Sequence, residues 1–468
     1  MSVRRLASLS AIAFTLYLAP SVYGFAQILI QNNDPPNVGF NDPTPAAPVG
    51  GNPANTVGHQ RLVAFQAAAI IWGNRLTSSV PITVAATWEA LSCTATSATL
   101  GSAGAISIWS DFDGAPKAAT WFGEAEANAI SGTNLSGGAQ LRARFNVNLG
   151  QPNCLTGTFF YYGLDHNEGT DIDFLAVLLH EMGHGLGFQT YTDGFTGEEI
   201  EGLPSIWDWY LYDLTVNKYW YQMTDAERSA SAINTRRLIW GAPGVTVNVP
   251  KVLQLGTPLL QIGSPASIAG AYQVGTATFG PPLDATGVSG RIAAVVEGGV
   301  LGLACTPLDA TNAAAVNGNI ALISRGSCAF TIKVKNAQDA GAMAVVIADN
   351  VAGSPPAGMS GDDPTITIPS VRVTLDDGTA IYNAISSGST VNGTLGLEMS
   401  IRAGADSSNH IYMYTPNPYA GGSSVSHYDT LATPNQLMEP FINSDLPGGL
   451  IPPVDLTYPL LVDIGWPH

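Results

Sequence analysis

Charge is what this sequence has least of. Asp, Glu, Lys and Arg make up only 12% of its 468 residues, about half the usual share. Lys and Arg together number 18 against 36 Asp and Glu, a formal net charge of -18. That balance excludes the basic footprint of a nucleic-acid binder. It gives no reason to expect anionic partners and favours solubility outside a cell. Cysteine is also scarce, with Cys93 and Cys154 in the first half and Cys305 and Cys328 in the second. No Cys-x-x-Cys pair exists, which argues against a thiolate metal site. Beyond the N-terminus no segment reaches the roughly 18 apolar residues of a membrane span.

What is present sets other bounds. The chain is 46% hydrophobic, enough for sizeable cores, and its length suits two or three domains. Arg4 and Arg5 precede an apolar stretch from Leu6 to Leu18. Val22-Tyr-Gly24 or Gly24-Phe-Ala26 then offers small residues for cleavage. This pattern predicts a secretory signal over residues 1–26 and an extracellular or periplasmic mature chain. Four cysteines fit such a compartment. Pairing within each half is the simplest of their three connectivities.

Residues 180–188 read His-Glu-Met-Gly-His-Gly-Leu-Gly-Phe. On a helix, His180 and His184 lie one turn apart on the same face. Two imidazoles so placed can share one zinc ion, with Glu181 beside the metal-bound water as general base. The competing reading is a surface helix with two unrelated histidines. The run Phe174-Leu-Ala-Val-Leu-Leu179 is apolar nearly all round and predicts a buried helix instead. Buried imidazoles need polar or metal partners. Thr170 and Asp173 have capping-box spacing. Gly183 calls for close approach of a neighbouring backbone, and Gly187 for a left-handed turn at the helix end.

The rest of the chain divides by texture. Residues 27–56, rich in Pro, Asn and Gly, read as a loose leader. Arg61–Asn74 reads as an amphipathic helix, and Pro81–Trp88, Ala105–Trp109 and Leu141–Val147 as strands. Leu203–Tyr221 is aromatic and helix-prone. Residues 262–400 are rich in Gly, Ala, Val and Thr. Within them, Gly318–Cys328 is a strand and a cysteine-bearing turn, and Ala329–Ala348 is an amphipathic helix and a second buried strand. Arg325, Lys333 and Lys335 read as a solvated face. Asp111-Phe-Asp113-Gly reads as a turn, with a structural calcium ion as the alternative. Asn134-Leu-Ser and Asn392-Gly-Thr match the glycosylation sequon. Asp455–Trp466 reads as a final packed element, with Trp466 in the core.

Segment 262–400 resembles the protease-associated domain, a small β-rich fold inserted into many secreted peptidases. The zinc motif resembles that of the metzincin peptidases, His-Glu-x-x-His-x-x-Gly-x-x-His or Asp. His180, Glu181, His184 and Gly187 match it, but Thr190 stands at the last position, and a hydroxyl is a poor zinc ligand. The residues themselves leave the third ligand open. His59 falls in the N-terminal helix, His166 in a polar turn that reads as exposed, and His468 ends the chain. His410 and His427 remain, with Asp193, Glu198, Glu199 and Glu201 as acidic alternatives. In the leishmanolysin-like branch of metzincins a large insertion precedes the third histidine, and a methionine turn follows it. That resemblance implies His427 as the third ligand and Met438 as the turn methionine.

The expected architecture is therefore α+β. A metzincin-like domain, a mixed sheet plus ligand helix, occupies residues 27–261 and 401–468, interrupted by the protease-associated domain at 262–400. The expected function is a secreted zinc-dependent endopeptidase with one catalytic Zn2+, acting on protein or peptide substrates. No nucleic acid and no stable membrane span are expected, and the sequence fixes no oligomeric state. The alternative is a noncatalytic secreted binding protein that keeps a peptidase frame. A zinc hydrolase of another bond is a third reading. The complete His-Glu-x-x-His favours catalysis, because a degenerate site usually loses the Glu or a ligand.

Overall fold

The computed structural model describes residues 25–442, 446 and 448–467. Of the signal-like stretch 1–26, only Phe25 and Ala26 are among them, so that expectation lies outside the described residues. His468 lies outside them too. The fold is mixed α/β and built on two large sheets.

The first sheet positions the motif. Strands β1 (Ile28–Asn32), β2 (Ile82–Glu89) and β4 (Leu141–Asn146) run parallel, in the order β1-β2-β4. Strand β3 (Gly101–Ala105) pairs antiparallel with β4 and forms an edge. Along β2, buried and half-buried residues alternate, the period-2 signature of a strand with one covered face. Helix α1 (Val57–Gly73) starts four residues earlier than its apolar pattern suggests. Thr56 caps it by accepting the His59 N–H. Phe65 of α1 meets Phe145 of β4 and Phe174 in an aromatic cluster that Trp88 of β2 completes. Helix α2 (Glu124–Ser131) and helix α3 (Phe174–Gly185), which carries the His-Glu-x-x-His motif, add to this core.

Residues 27–56 are not a loose leader. They contain β1, which pairs with β2 from Ile28↔Ile82 to Asn32↔Ala86. Asp34 accepts the Trp88 and Phe40 N–H groups through its two oxygens. Buried Asn52 donates to the carbonyls of Gln60 and Tyr162. Short polar side chains satisfy the backbone where no ladder does, and composition alone does not show that. Leu203–Tyr221 also departs from expectation. It forms short 3-10 turns and the strand Leu211–Asp213 rather than a helix. Ser205 and Asp208 make a capping box there, and Trp207 is held between Phe188 and Trp240. Side-chain packing overrides helix propensity in this segment.

The second sheet has eight strands. They are β5 (Leu255–Ser264), β6 (Gly270–Gln273), β7 (Gly275–Thr276), β8 (Val288–Ala294), β9 (Ile320–Ser324), β10 (Ala344–Ala348), β11 (Ser370–Val373) and β12 (Asn392–Arg402). Their order is β6-β5-β12-β8-β9-β10-β11-β7. Strands β9, β10 and β11 are parallel neighbours. Helix α4 (Phe330–Asp339) connects the first two, and helix α5 (Leu375–Ser386) follows the third. β10 is buried at all five positions, as expected for a parallel strand covered on both faces. The chain enters and leaves this unit side by side. Leu255 pairs with Arg402, Arg402 Nη1 donates to the Leu253 carbonyl at 2.5 Å, and the Ala403 N–H donates to Gln254 at 3.0 Å.

The cysteines pair as Cys93–Cys154 and Cys305–Cys328. Lys333 is not on a solvated face. It is wholly buried and donates through Nζ to the Leu303 carbonyl at 2.6 Å, because the outer side of α4 is covered by the Cys305 loop. Arg325 pairs with Asp349 at 2.8 Å, and half-buried Lys335 pairs with Asp339. Helix α6 (Thr457–Ile464) closes the fold. Beyond it, buried Trp466 donates through Nε1 to the Leu186 carbonyl at 2.7 Å, which satisfies an orphan acceptor at the end of α3.

Candidate metal centre

Helix α3 begins at Asp173. Its Oδ1 accepts the N–H groups of Leu175 and Ala176, so Asp173 is itself the cap and Thr170 takes no part. The other carboxylate oxygen meets His166 Nδ1 at 2.5 Å. His166 is thus half-exposed but partnered, and the Asp173 contact raises its pKa against the opposing pull of burial. Every residue of α3 except His180 is buried, as the apolar run suggests.

His180 and His184 turn their Nε2 atoms toward each other at 3.1 Å. His427 arrives from the far end of the chain, its Nε2 3.1 Å from that of His184 and 3.2 Å from that of His180. Each ring is oriented from behind by a carbonyl. His180 Nδ1 donates to Leu437, His184 Nδ1 to Phe188 and His427 Nδ1 to Ser423, at 2.7, 2.8 and 2.7 Å. With the proton on Nδ1, all three Nε2 lone pairs face one small space. Burial lowers the pKa of each ring, His184 to about 3 with help from neighbouring His180. Three neutral imidazoles with converging lone pairs repel one another unless a cation sits between them. Neutral, carbonyl-oriented imidazole is the form that ligates zinc. Among the described residues this is the single group of three or more His, Cys, Asp or Glu close enough to hold an ion.

Glu181 occupies the wall between the triad and β3. It accepts the Ala103 N–H, and its carboxyl is pushed up to about 8 by burial, which outweighs that bond and the Arg144 charge. Gly101 leaves it room, since a Cβ there would lie 3.1 Å from Oε1. The motif glycines have separate causes. A Cβ on Gly183 would lie 2.8 Å from Met438 Sδ, so the close neighbour is a side chain rather than the expected backbone. Gly187 has φ +114° and turns the chain out of the helix.

These groups open onto a cleft of about 1320 Å³. Its walls include β3 residues Gly101–Ala103, the segment Gln189–Phe195, Tyr419, and Glu439–Ile442. Thr190, where a contiguous motif would place its third ligand, donates its N–H to Ser426 Oγ at 3.2 Å and its hydroxyl to Asp208 at 2.7 Å. It therefore lies against the segment that delivers His427. The acidic alternatives have other partners. Asp193 accepts the N–H groups of Phe195 and Thr196, and Glu199 pairs with Arg228 at 3.0 Å. Glu198 lines the cleft wall, and Glu201 sits in an exposed turn with positive φ. His410 pairs with Asp406. Exposed Asp111 accepts the Ala119 N–H within its turn. Asn134 and Asn392 are both exposed. Ala103 and Asp208 are site residues that sequence reading missed, because neither carries a motif.

Residues 288–381 match the PA domain family. This segment is a PA domain. It covers β8 to the middle of α5. Vacuolar-sorting receptor 2 of Arabidopsis thaliana is 35% identical over 146 residues, 28% of this chain and 23% of that protein. The minor extracellular protease Vpr of Bacillus subtilis (strain 168) is 32% identical over 75 residues, 16% of this chain and 9% of that one. The chain thus spans less than a quarter of the length of these relatives. A zinc aminopeptidase of Bacillus subtilis is similar in structure at 22% identity and a TM-score of 0.24, covering 33% of this chain and 36% of that one. At that TM-score the similarity carries no conclusion about the site.

Proposed function

We propose that the protein is a secreted zinc-dependent endopeptidase of metzincin-like, leishmanolysin-like type, with a split ligand set and the PA domain inserted at 262–400. His180, His184 and His427 would hold the metal, and Met438 would be the turn methionine beneath it. The observation that carries the reading is the convergence of three carbonyl-oriented Nε2 atoms beside a buried glutamate. Two disulfides suit an oxidising compartment. No helix among the described residues is long and apolar enough to cross a membrane.

When bound, zinc would supply a Lewis acid that makes water acidic near pH 7 and polarises a carbonyl. Glu181 takes a proton from the attacking water and delivers it to the departing amine nitrogen. A cation held by the triad would favour the charged, proton-accepting form of this buried carboxyl. The edge position of β3 along the cleft supports a peptide substrate, because an extended chain can add to a sheet edge through backbone hydrogen bonds. The similarity to vacuolar-sorting receptors favours the alternative, a noncatalytic binding protein. The intact Glu181 beside three imidazoles speaks against it.

The test is metal analysis together with hydrolysis of an unfolded protein by wild type and Glu181→Gln. The variant should keep its zinc and lose activity by about 10²–10⁴-fold. A wild type without zinc, or a fully active Glu181→Gln, would overturn the assignment.

A further inference from the structure

The PA-bearing unit is joined to the rest of the chain at its stem and again at a second contact, a clamp. At the clamp the Ser354 N–H donates to the Asn417 carbonyl and the Asn417 N–H to the Ser354 carbonyl, both at 2.7 Å. Ser354 Oγ lies 2.7 Å from Thr235 Oγ1. Thr235 Oγ1 donates to the Thr415 carbonyl at 2.9 Å, so Ser354 is the donor in the hydroxyl pair. The clamp ties the inserted unit to two segments of the surrounding domain at once.

Asn417 begins a loop that walls the cleft and ends at the third histidine. Tyr419 lines the cleft, its ring centroid 5.9 Å from that of Phe195 on the facing segment. Ala420 exchanges bonds with Ser424, N–H to Oγ at 3.0 Å and carbonyl from N–H at 2.9 Å. The Ser423 carbonyl accepts from His427 Nδ1. Between these ties, Gly421 and Gly422 are exposed, and a Cβ on either would meet nothing within 4 Å. The middle of the loop therefore has little packing of its own and takes its position from its ends. One end is the clamp, and the other is the Val425–His427 segment, which pairs with the Tyr414 backbone and carries the imidazole.

We propose that Ser354 and Thr235 are positioning residues through which the inserted unit sets the 417–424 loop. By that loop the unit fixes the Tyr419 wall of the cleft and the Ser423 carbonyl that orients His427. The proposal rests on the metallopeptidase reading for its functional consequence and on hydrogen bonding alone for its mechanical part. The inserted unit is then part of the substrate site although none of its residues lines the cleft.

The experiment uses the full chain carrying Thr235→Val and Ser354→Ala together. Amide hydrogen exchange across 417–424 should quicken by roughly threefold, because the hydroxyl part of the clamp is removed while the Ser354–Asn417 backbone pair remains. KM for an unfolded-protein substrate and the zinc dissociation constant should each rise by about three- to tenfold, the size of coupling carried through one contact network. Ser354→Thr, which keeps the hydroxyl, should restore both. Ser289→Ala removes a similar hydroxyl pair with Thr394 inside the unit's own sheet, and should change none of the three readings. Unchanged exchange would overturn the positioning role of the Ser354 and Thr235 hydroxyls. Faster exchange with KM and zinc affinity within about twofold of wild type would overturn its role at the site. A wild type that neither binds zinc nor cleaves peptide defeats the functional reading instead, while the exchange measurement still decides the clamp.

Discussion

Gly183 and Met438 are packed so closely that no side chain fits between them: a Cβ on Gly183 would lie 2.8 Å from Met438 Sδ and 3.2 Å from its Cε. Met438 is wholly buried, so its flexible end can shift only by displacing the atoms packed around it. Its neighbour Leu437 supplies the carbonyl that orients His180, so pressure on Met438 reaches the histidine triad.

Gly183→Ala should therefore destabilise despite the roughly 1 kcal/mol of helix propensity that alanine adds. Overpacking of about 1–3 kcal/mol outweighs that gain. Calorimetry should show a lowered Tm, and competition with a chelator a weakened zinc affinity. A variant that is more stable, with zinc affinity intact, would show that Met438 yields freely.

His427→Ala and His410→Ala separate the ligand from the bystander. Loss of His427 should weaken zinc binding by more than the roughly 10–100-fold that loss of an outer hydrogen-bond partner costs. His410→Ala should leave zinc binding unchanged, since His410 is engaged with Asp406. Equal effects, measured by metal content at a fixed chelator concentration, would remove His427 from the site.

The cap of the ligand helix gives stability a pH dependence. The Asp173 contact raises the His166 pKa above its ordinary 6.5. A histidine with a raised folded pKa stabilises the fold below its unfolded value near 6.5, and the contribution is lost as pH rises through the folded pKa. The Tm difference between wild type and His166→Asn should be largest near pH 6 and fade toward pH 8. It should stay small, because the His166 side chain is 38% exposed and solvent screens the pair. A difference that grows with pH would contradict the pairing.

Cys305–Cys328 closes a loop of sequence separation 23. Replacing both cysteines by serine should cost about 3–4 kcal/mol on the chain-entropy estimate. The same change exposes the Cys305 loop and buried Lys333 behind it. Urea denaturation of the oxidised and substituted chains measures the cost, and a midpoint that does not move would show that the unfolded loop is already constrained.

The parts of this structure that local sequence displays are those whose cause is local. The apolar run Phe174–Leu179 announces a buried helix, and the four-residue spacing of His180 and His184 announces a shared face. The alternation in β2 is equally plain. His427 stands out because few histidines exist and a methionine follows it. Other features depend on partners far along the chain. Asp34 supports a backbone more than fifty residues away, so the segment around it reads as loop. Lys333 reads as solvated until the loop that covers it is seen. Gly101 and Ala103 carry no motif, yet they shape the space around Glu181. Ser354 and Asn417 meet only when the whole inserted unit has folded back.

The separation of 247 residues between His180 and His427 has a consequence for the order of events in the living cell. A ribosome adding about 5–20 residues per second finishes the first two imidazoles tens of seconds before the third. Trp466, which closes the end of the ligand helix, comes later still. On the proposed reading, the nascent polypeptide carries Glu181 throughout that interval without a complete set of metal-binding imidazoles. On that reading, the three-histidine set is thus incomplete until residue 427 has been made.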